Sequence, residues 1–167
     1  MIMFIMARNM RRRNGGNFRA IAPRAHPGSI LRGKRGRRAI RMMFDKVIDP
    51  DTLVSTPEGF TIGIRIPWYR ALPLSTIEVG LLKVDGKDIP LEGLVFNLNG
   101  KRRTLAELES IVDETWFITD TAVLEVKGFP LERGSEHEVE AVVAVRPPYL
   151  KGGMRRVGHI TRTMRAN

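Results

Sequence analysis

From Phe60 to Ile66 the chain sets Phe60, Ile62, Ile64 and Ile66 against Thr61, Gly63 and Arg65, an alternation of apolar and polar positions. Successive side chains of an extended strand point to opposite faces, so a period of two predicts a strand with one buried face. Thr76 to Val84 is a β-branched, apolar run. The Asp85-Gly86 pair after it suits a two-residue turn with positive φ at both positions, followed by a partner stretch to Leu91. Leu94, Phe96 and Leu98 alternate with Val95 and Asn97 before Asn99-Gly100, a second turn of the same kind, which leads into Lys101-Arg102-Arg103. Upstream, Phe44 to Ile48 reads as a short first strand closed by the breaker Asp49-Pro50-Asp51.

The period changes after Leu98. Thr104-Leu105-Ala106-Glu107 is a capping box, in which hydroxyl and carboxylate satisfy free amides at a helix start, and Leu105, Leu108, Ile111 and Val112 fall on one helical face. One short helix from Leu105 to about Asp113 is therefore expected. Trp116 to Ile118, Ala122 to Lys127 and His137 to Val145 complete the strand set. A lone sheet of seven or eight short strands would leave an apolar face and its edges exposed. The expected fold is mainly β, an antiparallel β-sandwich with one short helix and a basic, low-order N-terminal arm.

Charge changes this picture only at the ends. The net charge is +10, yet residues 1–41 hold twelve Lys or Arg and no acid, residues 151–167 hold five and no acid, and residues 42–150 hold eleven basic and eighteen acidic residues, a net of −7. The patterned part is acidic. Residues 1–42 read as a low-order arm, or as upstream sequence from a mis-assigned start, because Met42-Met43 stands directly before the first patterned segment. Residues 43–150 form the sandwich domain, and residues 151–167 a basic tail that is either mobile or laid over a partner. No apolar run approaches the ~18 residues of a membrane helix, and the absence of cysteine excludes disulfides and thiolate chemistry. A cytoplasmic setting is expected.

Candidate chemistry is sparse. His137 shares a strand face with Val139, Ala141 and Val143 and is placed at the rim of the core, while Glu136, Glu138 and Glu140 share the opposite, solvated face. Ser55, Ser75, Ser110 and Ser135 stand in turn, loop or helix contexts without a nearby base, and no P-loop, HExxH or GxSxG is present. No catalytic and no metal-ligating residue is assigned. The segment Arg65-Ile66-Pro67-Trp68-Tyr69-Arg70-Ala71-Leu72-Pro73-Leu74-Ser75 is different in kind, placing two aromatics and two arginines on a proline-stiffened loop. Trp, Tyr and Arg concentrate binding energy in protein interfaces. Arg65, Pro67, Trp68, Tyr69, Arg70 and Pro73 are thus candidates for a partner interface or pocket rim. Arg146 and Tyr149, from the similar element Arg146-Pro147-Pro148-Tyr149-Leu150, join them.

The run from Gly59 to Ser75, with Val84-Asp85-Gly86, Phe96-Asn97-Leu98-Asn99-Gly100-Lys101, Glu114-Thr115-Trp116-Phe117 and Arg146-Pro147-Pro148-Tyr149, resembles the β subunit of bacterial C-glycoside deglycosidases over residues 43–150. The resemblance implies a hetero-oligomer with a TIM-barrel α subunit, which carries a histidine base and a divalent metal ion, usually manganese. This chain would bind no cofactor itself. The implied reaction cleaves the carbon–carbon bond between a 3-oxo sugar and a flavonoid or related aromatic aglycone, with the 3-oxo-C-glycoside held at the partner's site. A ketone at C3 acidifies the neighbouring C2 proton, which lets a base start elimination of the aglycone. Two rival readings remain. One is a nucleic-acid or ribosome-associated protein acting through its basic ends, against which the −7 middle segment argues. The other is a self-contained carbohydrate-binding β-sandwich.

Overall fold

The computed structural model describes residues 46–167, so the N-terminal arm, Phe44 and Asp45 lie outside the described residues. Eleven strands occur among the described residues: β1 (Val54–Thr56), β2 (Gly59–Ile64), β3 (Leu72–Pro73), β4 (Ile77–Val84), β5 (Lys87–Asp88), β6 (Val95–Leu98), β7 (Lys101–Thr104), β8 (Thr115–Trp116), β9 (Ala122–Lys127), β10 (Glu136–Val145) and β11 (Arg156–Arg165). They form one sheet in the order β1-β2-β9-β6-β7, a second in the order β11-β10-β4-β5, and a two-stranded ladder β3-β8. All pairings are antiparallel. The mainly β, antiparallel fold is as expected.

The inward residues of both large sheets belong to a single buried cluster, in which Phe60, Ile62, Phe96 and Leu124 from one sheet join Leu82, Val84, Val139 and Val143 from the other. That shared core is the reason for two sheets, since neither could bury its apolar face alone. Both expected hairpin turns form. Asp85 and Gly86 have φ of 51° and 75°, and Asn99 and Gly100 have 52° and 84°, the double left-handed geometry that Asp/Asn-Gly tolerates at low strain.

β4 shows why its sequence lacked a clean alternation. Ile77 and Val79 face the core at its start, whereas Leu82 and Val84 do so at its end. The register with β10 passes from Val142↔Leu81 to Val143↔Val79. Gly80 is thereby the extra residue of a β-bulge, which switches the inward parity.

Two expectations are corrected. The capping box forms, with the Thr104 amide and hydroxyl donating to Glu107 Oε2 at 2.6 and 2.8 Å. These bonds hold the Glu107 carboxyl below its ordinary value. The helix, however, is only the 3-10 turn Ala106–Ser110, because Ile111 turns extended and its carbonyl accepts from the Ser75 amide at 2.9 Å. Val112, placed on the buried helical face by sequence, is 72% exposed. The basic tail is likewise corrected. Arg156–Arg165 is a ten-residue strand, paired with β10 along its whole length. Asn167 goes on to exchange backbone hydrogen bonds with Leu53 and Ser55, tying the chain end to the first sheet.

Candidate functional site

The loop after β2 is held at both sides before it reaches its aromatics. The Arg65 amide donates to the Val47 carbonyl at 2.8 Å, and Ile66 is buried. Arg65 Nε lies 3.0 Å from Asp49 Oδ2, close enough for an ion pair though not aligned as a hydrogen bond. Pro67 packs on β11 where Gly158 has no side chain: a Cβ there would stand 2.7 Å from Pro67 Cβ and 2.5 Å from Val47 Cγ2. Pro67 is thus a positioning residue for Trp68, Tyr69 and Arg70.

Trp68 is half-buried and packs against the core, and its indole Nε1 donates to the Tyr149 hydroxyl. The Trp68 and Tyr69 rings lie 4.8 Å apart, tilted by 41°. Arg70 closes the group, its guanidinium 5.6 Å from the Tyr69 ring centroid and 5.7 Å from that of Tyr149, within reach of a cation–π attraction to both. Tyr69 is 51% and Tyr149 46% exposed. The hydrogen bond to Tyr149 is the main reason the Tyr69 phenol sits above the usual tyrosine range, because it stabilises the neutral form.

The structure therefore brings together Trp68, Tyr69, Arg70 and Tyr149 from the two Pro-aromatic segments. It does not bring the other candidates into that group. Arg65 serves Asp49, and Pro73 is part of the β3-β8 ladder opposite Thr115. Arg146 pairs with Glu78 at 2.9 Å, and Arg155 grips the same carboxylate at 2.6 and 3.1 Å. The hydrogen bonds from Arg155, helped by Arg146, hold the Glu78 carboxyl below its ordinary value. Glu78 and Arg146 also line an open cleft of about 690 Å³ whose walls include Leu91, Glu92, Leu105 and Glu109.

One arrangement went unseen in the sequence. Ser135 Oγ lies 2.6 Å from His137 Nε2, and His137 Nδ1 lies 2.7 Å from Asp85 Oδ2, so Ser135 does have a base nearby, contrary to expectation. Asp85 sits 52 residues away in a hairpin turn, and only the β4-β10 pairing brings it there. The hydrogen bonds from His137 and from the Glu138 amide hold the Asp85 carboxyl below its ordinary value. The trio has the connectivity of a hydrolytic triad but not its working parts. The Ser135 hydroxyl donates to the Glu132 carbonyl, and the Gly134 and Ser135 amides are bonded to Ala166 O and Glu132 O, which leaves neither of these two amides as an oxyanion donor. It ties the β4–β5 turn to the start of β10. Glu140, on the outer face of β10, is paired with His159 of β11 at 2.7 Å.

Among the described residues no three His, Asp or Glu side chains converge as metal ligands do, and no helix is long and apolar enough to cross a membrane. Fold and site together define an antiparallel β domain built on two main sheets that carries a cation-aromatic cluster at its surface. The chain belongs to the C-glycoside deglycosidase beta subunit family, whose profile matches residues 44–149. It is 38% identical over 129 residues to the C-glycoside deglycosidase beta subunit of Microbacterium trichothecenolyticum, covering 75% of this chain and 98% of that one. It is 40% identical over 109 residues to the 3'-dehydrocarminate deglycosidase beta subunit of a Microbacterium sp, covering 65% and 82%. With the C-glycoside deglycosidase beta subunit of Arthrobacter globiformis it shares 34% identity over 127 residues, covering 74% and 97%. A beta subunit is one member of a heteromeric enzyme, so this chain acts with another subunit.

Proposed function

We propose that the chain is the non-catalytic small subunit of a cytoplasmic lyase that cleaves the carbon–carbon glycosidic bond of 3-oxo-C-glycosides carrying a flavonoid or related aromatic aglycone. The likeness to deglycosidase beta subunits over 82% and 98% of their lengths, one of them named for 3'-dehydrocarminate, is the observation that carries this reading. In it, a TIM-barrel α subunit holds the substrate, the histidine base and a divalent ion, usually manganese. In this reading the ion is held by the partner, and the described residues of this chain bring no three His, Asp or Glu side chains together. The β domain stabilises the barrel and shapes the mouth of its pocket. Trp68, Tyr69, Arg70 and Tyr149 are the residues that meet the partner, with Arg65, Pro67 and Pro73 holding the loop beneath them and Arg146 beside them.

The test is co-expression of the full chain with each sugar-isomerase-like barrel protein encoded beside it, followed by an assay for aglycone release from a 3-oxo-C-glucoside in the presence of manganese. The expected result is a pair that copurifies and turns over substrate only when both subunits are present. A chain that elutes alone, or a barrel that is fully active without it, would overturn the reading.

A further inference from the structure

The cations of the described domain divide into two populations. Eight of the sixteen form ion pairs with described carboxylates, among them Lys83 with Asp88, Lys101 and Arg103 with Glu114, Arg102 with Glu125, Lys127 with Glu58, and Arg65 with Asp49. At the end of the molecule built from residues 65–70 and 146–156 the balance fails. These segments hold six cations (Arg65, Arg70, Arg146, Lys151, Arg155, Arg156) and no acid, while the remaining described residues hold ten cations and seventeen acids. Arg146 and Arg155 share the single carboxylate of Glu78. Arg70 rests on two tyrosine rings, Arg156 reaches the Met154 sulfur, and no ion pair to a described carboxylate forms at Arg70, Lys151 or Arg156.

Exposed apolar surface gathers at the same end. Tyr69 and Tyr149 are about half exposed, and Met154 and Val157 are 41% and 40% exposed. The start of β11 lies beside the aromatic loop, because Pro67 packs on Gly158, while the side chain of Val157 points to the opposite face of the strand. Aromatic and Arg anchors in an apolar patch ringed by unmatched cations are what a binding hot spot with a charged rim looks like before its partner arrives. Val112, Phe117 and Ile118 are also exposed but have a different setting, because Glu114, between them in sequence, is already matched by Lys101 and Arg103.

We infer that the other subunit of the deglycosidase docks on the end formed by Trp68–Arg70 and Tyr149–Val157, and that the surface it brings there is acidic. The inference rests on the proposed function in requiring a second subunit that meets the aromatic cluster, but it extends that face to the segment up to Val157 and commits to a sign of charge that the proposed function leaves open. Arg70, pre-oriented by the two rings, is the central anchor, since a guanidinium held by stacking loses little entropy when a carboxylate binds it. Lys151 and Arg156 form the rim, where charge acts mainly on the association rate.

The experiment measures binding of the full chain to the copurified barrel subunit by surface plasmon resonance at low and high salt. The proteins are the wild type, R70E/R156E, and F117S/I118S as the variant of the rival patch. Folding of each variant is verified by its melting midpoint. The expected result is a loss of affinity of roughly tenfold or more for R70E/R156E, together with a weaker salt dependence of its association rate, and a change below about twofold for F117S/I118S. If R70E/R156E binds like the wild type while F117S/I118S fails, the docking face is the other one and the inference is wrong although the subunit reading stands. If the wild type binds no barrel protein, the subunit reading itself falls and this inference with it. If the wild type instead retains nucleic acid that R70E/R156E releases, the face is a phosphate-binding one, which also overturns the inference.

Discussion

Phe96 and Trp116 lie inside the domain, edge to face with centroids 5.4 Å apart, while Trp68, Tyr69 and Tyr149 form a cluster of the same chemical types at its surface. The two groups differ in what satisfies their polar atoms. Trp116 gives its indole N–H to the Asp120 carbonyl, four residues away, and then buries completely. Trp68 gives its N–H to a phenol 81 residues away that is itself half exposed. An aromatic whose donor is satisfied by nearby backbone can be committed to the core, and one satisfied by another surface side chain keeps its ring available. The interior pair should therefore govern stability and the exterior cluster should govern binding.

The sharpest way to break this comparison is Trp116→Ala. Loss of a fully buried indole costs about 3–5 kcal/mol, so a chemical denaturation curve should shift by that amount. A shift below about 1 kcal/mol would mean that the core does not depend on the pair. Gly158→Ala comes next, because its methyl would press on Val47 and Pro67. An overpacked contact of this sort costs about 1–3 kcal/mol. The substitution should also move the Trp68 emission, because Pro67 carries the loop. Unchanged emission with lowered stability would show that the cluster does not depend on that seat. The smallest effect belongs to Tyr149→Phe, which removes the acceptor of the Trp68 N–H but keeps the ring under Arg70. One exposed hydrogen bond contributes at most about 1 kcal/mol, so the melting midpoint should barely move while Trp68 fluorescence changes. A large drop in midpoint would place this cluster with the core after all.

What could be read from the chain alone was everything carried by a local period or a local turn. The alternation from Phe60 to Ile66, the strand Ala122–Lys127 and both Asx-Gly hairpins recur in the structure within a residue or two. Misreadings came where distant contacts overrode a sound local signal. The capping box at Thr104 formed as its residues demand, but the helix stopped after five residues, since the Ile111 carbonyl was needed by Ser75. The strand Trp116 to Ile118 shrank to Thr115–Trp116, and Phe117 and Ile118 are exposed. β11 escaped notice because it is an edge strand whose exposed residues, Val157 apart, are polar or basic, so only its pairing with β10 makes it a strand.

The candidate site divides along the same line. That Trp68, Tyr69, Arg70 and Tyr149 were worth singling out came from residue type, proline-rich context and the resemblance to a deglycosidase subunit. Which of the eight candidates share a surface was settled by the tertiary structure, because the 65–70 and 146–150 segments, far apart in sequence, meet through the Trp68–Tyr149 hydrogen bond and the Arg70–Tyr149 contact. The chain's own pattern determined a mainly β, two-sheet domain, because burial periodicity and turn stereochemistry act over two to four residues. Which of its charges form ion pairs, and that Arg70, Lys151 and Arg156 at one end do not, was decided only by folding, because an ion pair depends on distance in space and not on separation along the chain.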